Sequence, residues 1–207
     1  MSKALRLGLL GGTFDPPHLG HLALARAARD QLALDELRWV PAGAPWQKAG
    51  RVLAPAADRL AMVRLLVDGE ARMRVDDVEI RRAGPSYTVD TVLALRRERP
   101  DADLFLVVGQ DQYARLHTWH RWRELLEAVT LAVAGRECAP PQAPAELAGV
   151  AHRMVAIDLT PVAVSSTAVR DAAARGADLR AHVGAAVAAY IERHHLYRPS
   201  TPLPARS

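Results

Sequence analysis

The sequence predicts a doubly wound α/β domain, a parallel β-sheet with helices on both faces. Short apolar runs alternate with helix-period segments along most of the chain. Those runs are apolar at successive positions rather than at every second one, the pattern of strands buried on both faces. The scale agrees: 207 residues, half of them apolar, can bury a sizeable core as one unit. We therefore expect a single domain over 1–207, with the C-terminal helices at about 165–197 packed on the sheet edge.

The elements follow in order. Leu5 to Leu10 reads as a strand, Leu19 to Leu32 as a helix through Leu19, Leu22, Leu24 and Ala25, and Glu36 to Val40 as a second strand, a βαβ unit. The turn residues Gly43, Pro45, Gly50 and Pro55 make 42–57 a loop. Helical spacing returns at Ala57 to Val67, and one or two strands are expected over Arg72 to Arg81. Gly84-Pro85-Ser86-Tyr87-Thr88 turns into a helix at about Val89 to Glu98, with Thr88 as its expected N-cap. Asp103 to Val108 is a buried strand ending at Gly109-Gln110-Asp111. A helix at Trp122 to Ala128, a strand at Val129 to Ala134, a Pro-rich connector and a strand at Met154 to Asp158 continue the alternation. Ser165-Ser166-Thr167 opens a helix ending near Gly176, and a last helix spans about Val183 to His194. In such sheets ligands collect where strand C-termini meet helix N-termini. The loops after Leu10, Val40, Val108 and Ile157 are thus expected to converge.

Composition narrows the function classes. Net charge is +4, with no basic block, which favours a small anionic substrate over a nucleic-acid platform. Lys3 and Lys48 are the only lysines among 27 basic residues, which draws attention to Lys48. Cys138 is the single cysteine, so an internal disulfide and a cysteine-based metal site are ruled out and a reducing, cytoplasmic setting fits. The apolar run before Gly11-Gly12 is too short for a signal-peptide core, and nothing approaches the roughly 20 apolar residues of a membrane span. No membrane partner is expected, and a homo-oligomer is left open.

The most informative stretch is Gly11-Gly12-Thr13-Phe14-Asp15-Pro16-Pro17-His18-Leu19-Gly20-His21. Paired glycines let backbone N–H groups approach an anion, and the helix start that follows adds roughly half a positive charge. The string fits neither the Gly-x-Gly-x-x-Gly fingerprint nor the P-loop. His18 and His21, three residues apart on the first turn, share a face. A helix-capping role is the plainer reading. A zinc site would want a third ligand that the sequence does not visibly supply. In the empty site the helix N-terminus disfavours a cation, so both should be neutral, whereas a bound triphosphate should favour their protonation.

Gly-Gly-Thr-Phe-Asp-Pro-x-His-x-Gly-His, followed by Ser165-Ser166-Thr167-x-x-Arg170, resembles the nucleotidyltransferase superfamily with His-x-Gly-His signatures and a Rossmann-like fold. It is most similar to the bacterial nicotinate-nucleotide adenylyltransferases, from Leu7 to about Tyr197. His18 sets it apart from phosphopantetheine adenylyltransferases, which usually carry Thr there in a shorter chain. The resemblance implies ATP and nicotinate mononucleotide as substrates and Mg²⁺ delivered with ATP. It implies that His18 and His21 contact the phosphates, that Gly12, Thr13 and Phe14 line the nucleotide loop, and that Arg170 grips the β,γ-phosphates. Lys48 would complete the cage, although Pro45-Trp46-Gln47-Lys48 departs from the usual family histidine. Gly109 and Asp111 resemble the family's Gly-x-Asp near the ribose, or a plain helix N-cap; Ser166 and Thr167 are helix caps by type as well as phosphate contacts. Tyr87 and Thr88 resemble the segment holding the nicotinate carboxylate, and Trp119 the aromatic residue stacked on the pyridine ring.

The implied chemistry asks for no general base, because a phosphomonoester with a second pKa of about 6 is already ionised near neutrality. It asks for alignment and charge stabilisation, and no all-protein metal cage is expected. Two alternatives remain: a sister enzyme using nicotinamide mononucleotide, FMN or phosphopantetheine, and a non-catalytic nucleotide-binding regulatory module.

Overall fold

Alternate residues of the central strands point to opposite sides of one sheet, and both sides are buried. Leu104, Leu106 and Val108 enter one core cluster; Phe105 and Val107, between them, enter the other. Leu131 and Val133 against Ala132 and Ala134 repeat the division. This two-sided burial is what made the runs read as continuously apolar. The computed structural model describes residues 4–45, 53–135, 139–160 and 162–198. Trp46, Gln47, Lys48 and Cys138 lie outside them.

The strands are β1 (Arg6–Gly12), β2 (Glu36–Pro41), β3 (Met73–Val75), β4 (Asp103–Gly109), β5 (Thr130–Ala134) and β6 (Arg153–Ile157). All pair in parallel in the order β3-β2-β1-β4-β5-β6. The order reverses between β1 and β4, so the C-terminal ends of these two strands flank the switch point where such sheets bind ligands. The helices are α1 (Leu19–Gln31), α2 (Ala56–Val67), α3 (Val78–Arg81), α4 (Thr88–Glu98), α5 (Gln110–Tyr113), α6 (Trp122–Ala128), α7 (Ser166–Ala174), α8 (Arg180–Val183) and α9 (Ala185–Arg193). One face carries α1 and α2, with Val169, Val183, Val187 and Ile191 of the C-terminal helices in the same cluster. The other face carries α4 and α6 through Val89, Val92, Leu95, Leu125 and Leu126.

Two local expectations are corrected. The segment 72–81 holds one short strand and then α3, because Asp76 accepts the Val78 N–H and turns the chain into a helical turn. Thr88 is the first residue of α4 rather than its cap; Tyr87 occupies that position and α4 has no side-chain cap hydrogen bond. The last helix lies where expected, as α9, and Gly184 at φ +80° separates its start from the short α8 that precedes it.

Candidate active site

The loop from β1 into α1 is built around its aromatic residue. Phe14 is buried at φ +50°, a conformation that non-glycine residues seldom adopt, and its ring meets His21 edge-on at 5.1 Å and Trp39 at 5.4 Å. A Cβ on Gly12 would lie 2.9 Å from that ring, so Gly12 is glycine to admit it. Phe14 thus offers its backbone to the crevice and its ring to the core. At Gly11 an added Cβ would meet nothing within 4 Å; that side of the loop faces open space.

His18 and His21 are joined by a reciprocal capping box. The His21 N–H donates to Nδ1 of His18 at 3.3 Å, and the His18 N–H donates to Nδ1 of His21 at 3.2 Å. The rings stack with centroids 3.6 Å apart. Gly20 sits close against them, and a Cβ there would stand a tight 3.1 Å from both Nδ1 of His18 and Cγ1 of Val164. With both Nδ1 atoms accepting, the hydrogen of each neutral ring sits on Nε2, which no backbone group of the cap uses. Capping, the plainer reading of the sequence, is therefore true of His18, and it fixes the tautomer.

The same geometry agrees with the neutrality expected of the empty site. Burial lowers His18 from 6.5 to about 4. It lowers His21 well below 6.5, with the neighbouring His18 adding to the effect. A second proton on either ring would have to occupy an Nδ1 that already accepts an N–H, removing a cap worth roughly 0.5–2 kcal/mol. Two imidazolium rings stacked this closely would repel by about 4 kcal/mol at an effective dielectric of 20. Without ligand the pair is therefore neutral, and it presents two N–H donors rather than two cations.

The C-terminal segment docks on the same loop. Ser166 Oγ donates to the Pro16 carbonyl at 2.9 Å, and Arg170 Nη1 donates to the Asp15 carbonyl at 2.7 Å. Arg170 Nη2 reaches Thr167 Oγ1 at 3.1 Å. These bonds bring Ser166, Thr167 and Arg170 to the loop some 150 residues upstream in the chain. The helix cap itself is Ser165, whose Oγ accepts the Ala168 N–H, so Ser166 and Thr167 are not the caps. Gly109 is the N-cap of α5, and Asp111 is an exposed residue of its first turn.

A second group of residues gathers at the start of α4. The Tyr87 ring stacks on His120 at 4.2 Å, and Trp119 packs against the core cluster of that face with Nε1 buried and unpartnered. Ser86 Oγ accepts the Gly43 and Ala44 N–H groups at 3.0 and 3.2 Å, and the Ser86 N–H returns to the Ala44 carbonyl. The loop after β2 is therefore stitched to the start of α4. Beneath it Glu79 is buried and accepts the Thr91 hydroxyl, and burial raises its carboxyl above the usual range.

Sequence reasoning brought together the residues of the loop, Ser166, Thr167 and Arg170, and separately Tyr87, Thr88 and Trp119. It missed Asp15, Arg59, Glu79, His120 and Tyr197. Asp15 sat within the motif; the others carry no local pattern and are found only by what they touch.

The sequence model of the cytidylyltransferase-like family matches residues 9–172. A "probable nicotinate-nucleotide adenylyltransferase" of Methylibium petroleiphilum is 52% identical over 96% of this chain and 95% of its own. The chain belongs to the nicotinate-nucleotide adenylyltransferases. A second member of this family, from Bordetella petrii, is 48% identical over 93% of this chain and 99% of its own. The Plasmodium falciparum nicotinic acid mononucleotide adenylyltransferase complexed with NaAD shares the fold. It has a TM-score of 0.79 at 15% identity, covering 93% of this chain and 97% of that one. The six-stranded parallel sheet with helices on both sides thus matches the Rossmann-like fold of these neighbours.

Proposed function

We propose that the chain transfers the adenylyl group of ATP to nicotinate mononucleotide, forming deamido-NAD and pyrophosphate in NAD biosynthesis. The observation that carries the ATP half is the capping box, which leaves two Nε2–H donors fixed at the switch point. Names of close relatives support the acceptor.

A phosphate oxygen of nicotinate mononucleotide attacks the α-phosphorus of ATP, a new P–O bond forms, and the bond from the α-phosphorus to the bridging oxygen breaks as pyrophosphate leaves. The attacking oxygen is already ionised, so the protein supplies alignment and stabilises the departing charge. His18 and His21 donate Nε2–H to the phosphates. Arg170 keeps further donors beyond its hydrogen bonds to Asp15 and Thr167 and takes the β,γ-phosphates, with Ser166 and Thr167 beside it. Gly12, Thr13 and Phe14 supply loop backbone, and Gly109 and Asp111 lie toward the ribose. Lys48 is proposed to complete the phosphate cage from outside the described residues. Mg²⁺ is proposed to enter as part of the ATP substrate, since this ion usually binds together with nucleotide phosphates.

The acceptor's ring stacks on Trp119 beside Tyr87. Its carboxylate meets the first turn of α4, where no side-chain cap competes, together with the Thr88 hydroxyl. A helix N-terminus favours a full negative charge by about 0.3–1 kcal/mol, more when partly buried, and the neutral amide of nicotinamide presents donors to donors. Pyrophosphate release from ATP should therefore appear with nicotinate mononucleotide and be slower with nicotinamide mononucleotide, FMN or phosphopantetheine. Equal rates with acid and amide would overturn the carboxylate assignment. Release with none of the four would indicate a nucleotide-binding module instead.

A further inference from the structure

Arg59, in the first turn of α2, is 2% exposed, yet its guanidinium is spent on three backbone carbonyls from three separate segments. Nη1 donates to Thr13 at 2.7 Å, Nη2 to Gly43 at 3.1 Å and Nε to Ala54 at 3.1 Å. Asp15 stands close enough to favour the cation, although burial outweighs it and lowers the guanidinium below its ordinary value. The Asp15 carboxylate in turn accepts the Ala54 N–H and the Tyr197 hydroxyl.

We propose that Arg59 is a positioning residue that couples the two substrate halves, one guanidinium holding both the nucleotide loop and the loop stitched to the acceptor helix. The inference rests on the adenylyl-transfer reading above. In a planar trans peptide the carbonyl and the following N–H point opposite ways. Drawing the Thr13 carbonyl to Arg59 therefore turns the Phe14 N–H away from it. Drawing the Gly43 carbonyl to Arg59 turns the Ala44 N–H away, and that N–H donates to Ser86 Oγ, one residue before Tyr87. A buried guanidinium is a costly way to fill space, and an apolar side chain of like volume would often serve stability as well or better. What it supplies is a rigid planar fork that fixes separate acceptors in one arrangement, which an ammonium cannot reproduce.

Arg59→Lys keeps the charge and loses the fork. Misplacement on the scale of 1 Å can cost about 100-fold in rate. We expect kcat/KM to fall roughly 10- to 100-fold with KM rising for both ATP and nicotinate mononucleotide, read on protein whose folded fraction is verified by its melting transition. A fall that follows the folded fraction alone, or a KM change confined to one substrate, would overturn the proposal. Arg59→Gln is the second variant, judged by the same split. A measurement on the wild-type chain is independent of both: a non-hydrolysable ATP analogue should slow amide hydrogen exchange at Gly43 and Ala44, on the acceptor side. Unchanged exchange there would equally overturn it. That readout needs no turnover, so it fails separately from the reaction assigned above.

Discussion

His21→Ala lowers turnover by about ten- to a hundredfold or more at saturating ATP and acceptor. A hydrogen bond to a charged group is worth roughly 1.5–3 kcal/mol, and here the acceptor gains charge as pyrophosphate departs. The substitution removes the Nε2–H donor, the edge contact with Phe14 and the acceptor for the His18 N–H. Loss of that half of the capping box also costs some stability, which a thermal melt separates from the loss of rate. His21→Gln provides the control. Gln at this position of a capping box can reach back to the N-cap N–H, so stability recovers while the fixed imidazole donor does not. Near-normal turnover of the alanine variant in a steady-state pyrophosphate assay would remove His21 from the mechanism.

Arg170→Ala has the other large effect, lowering kcat/KM for ATP by about 100-fold. The side chain has two roles joined in one group. Nη1 anchors α7 to the Asp15 carbonyl, and the guanidinium places its positive charge beside the β1–α1 loop. Two charge-assisted contacts at roughly 1.5–3 kcal/mol each would account for that magnitude even after partial replacement by water. Arg170→Lys restores little, because a point charge cannot hold the Asp15 carbonyl and Thr167 while it meets two phosphates. Thr167→Ala is the milder companion, since it removes only the partner of Nη2. Kinetics with ATP varied at fixed acceptor distinguish the three variants.

The fold was legible because its physics is local and repeated. Leu7 to Leu10, Leu104 to Val108 and Leu131 to Ala134 are apolar on both faces, and the helices between them carry their own periodicity. Where local signals were weak the reading slipped. The span 72–81 was too short and too charged to distinguish a strand from α3. The site was legible where its residues are consecutive. His18 and His21 lie within one turn, and Arg170 follows the Ser166-Thr167 pair at helical spacing. Arg59 and Tyr197 could not be found this way, since each acts through backbone carbonyls or a carboxylate brought near only by folding. The tautomer of the histidines was not legible for a related reason. A reciprocal Nδ1 cap is a matter of ring orientation, which residue spacing does not reveal.

That neutrality is the centre of the account, because it makes the pair fixed donors rather than titrating cations. It is open to direct measurement by ¹⁵N NMR of imidazole-labelled protein, titrated with and without a non-hydrolysable ATP analogue. The account predicts that at pH 7 both rings keep an unprotonated Nδ1 and a protonated Nε2 in either state. Without ligand, His18 should gain its second proton only as the pH falls toward about 4. Imidazolium signals from His18 and His21 at pH 7 once the analogue is bound would contradict it.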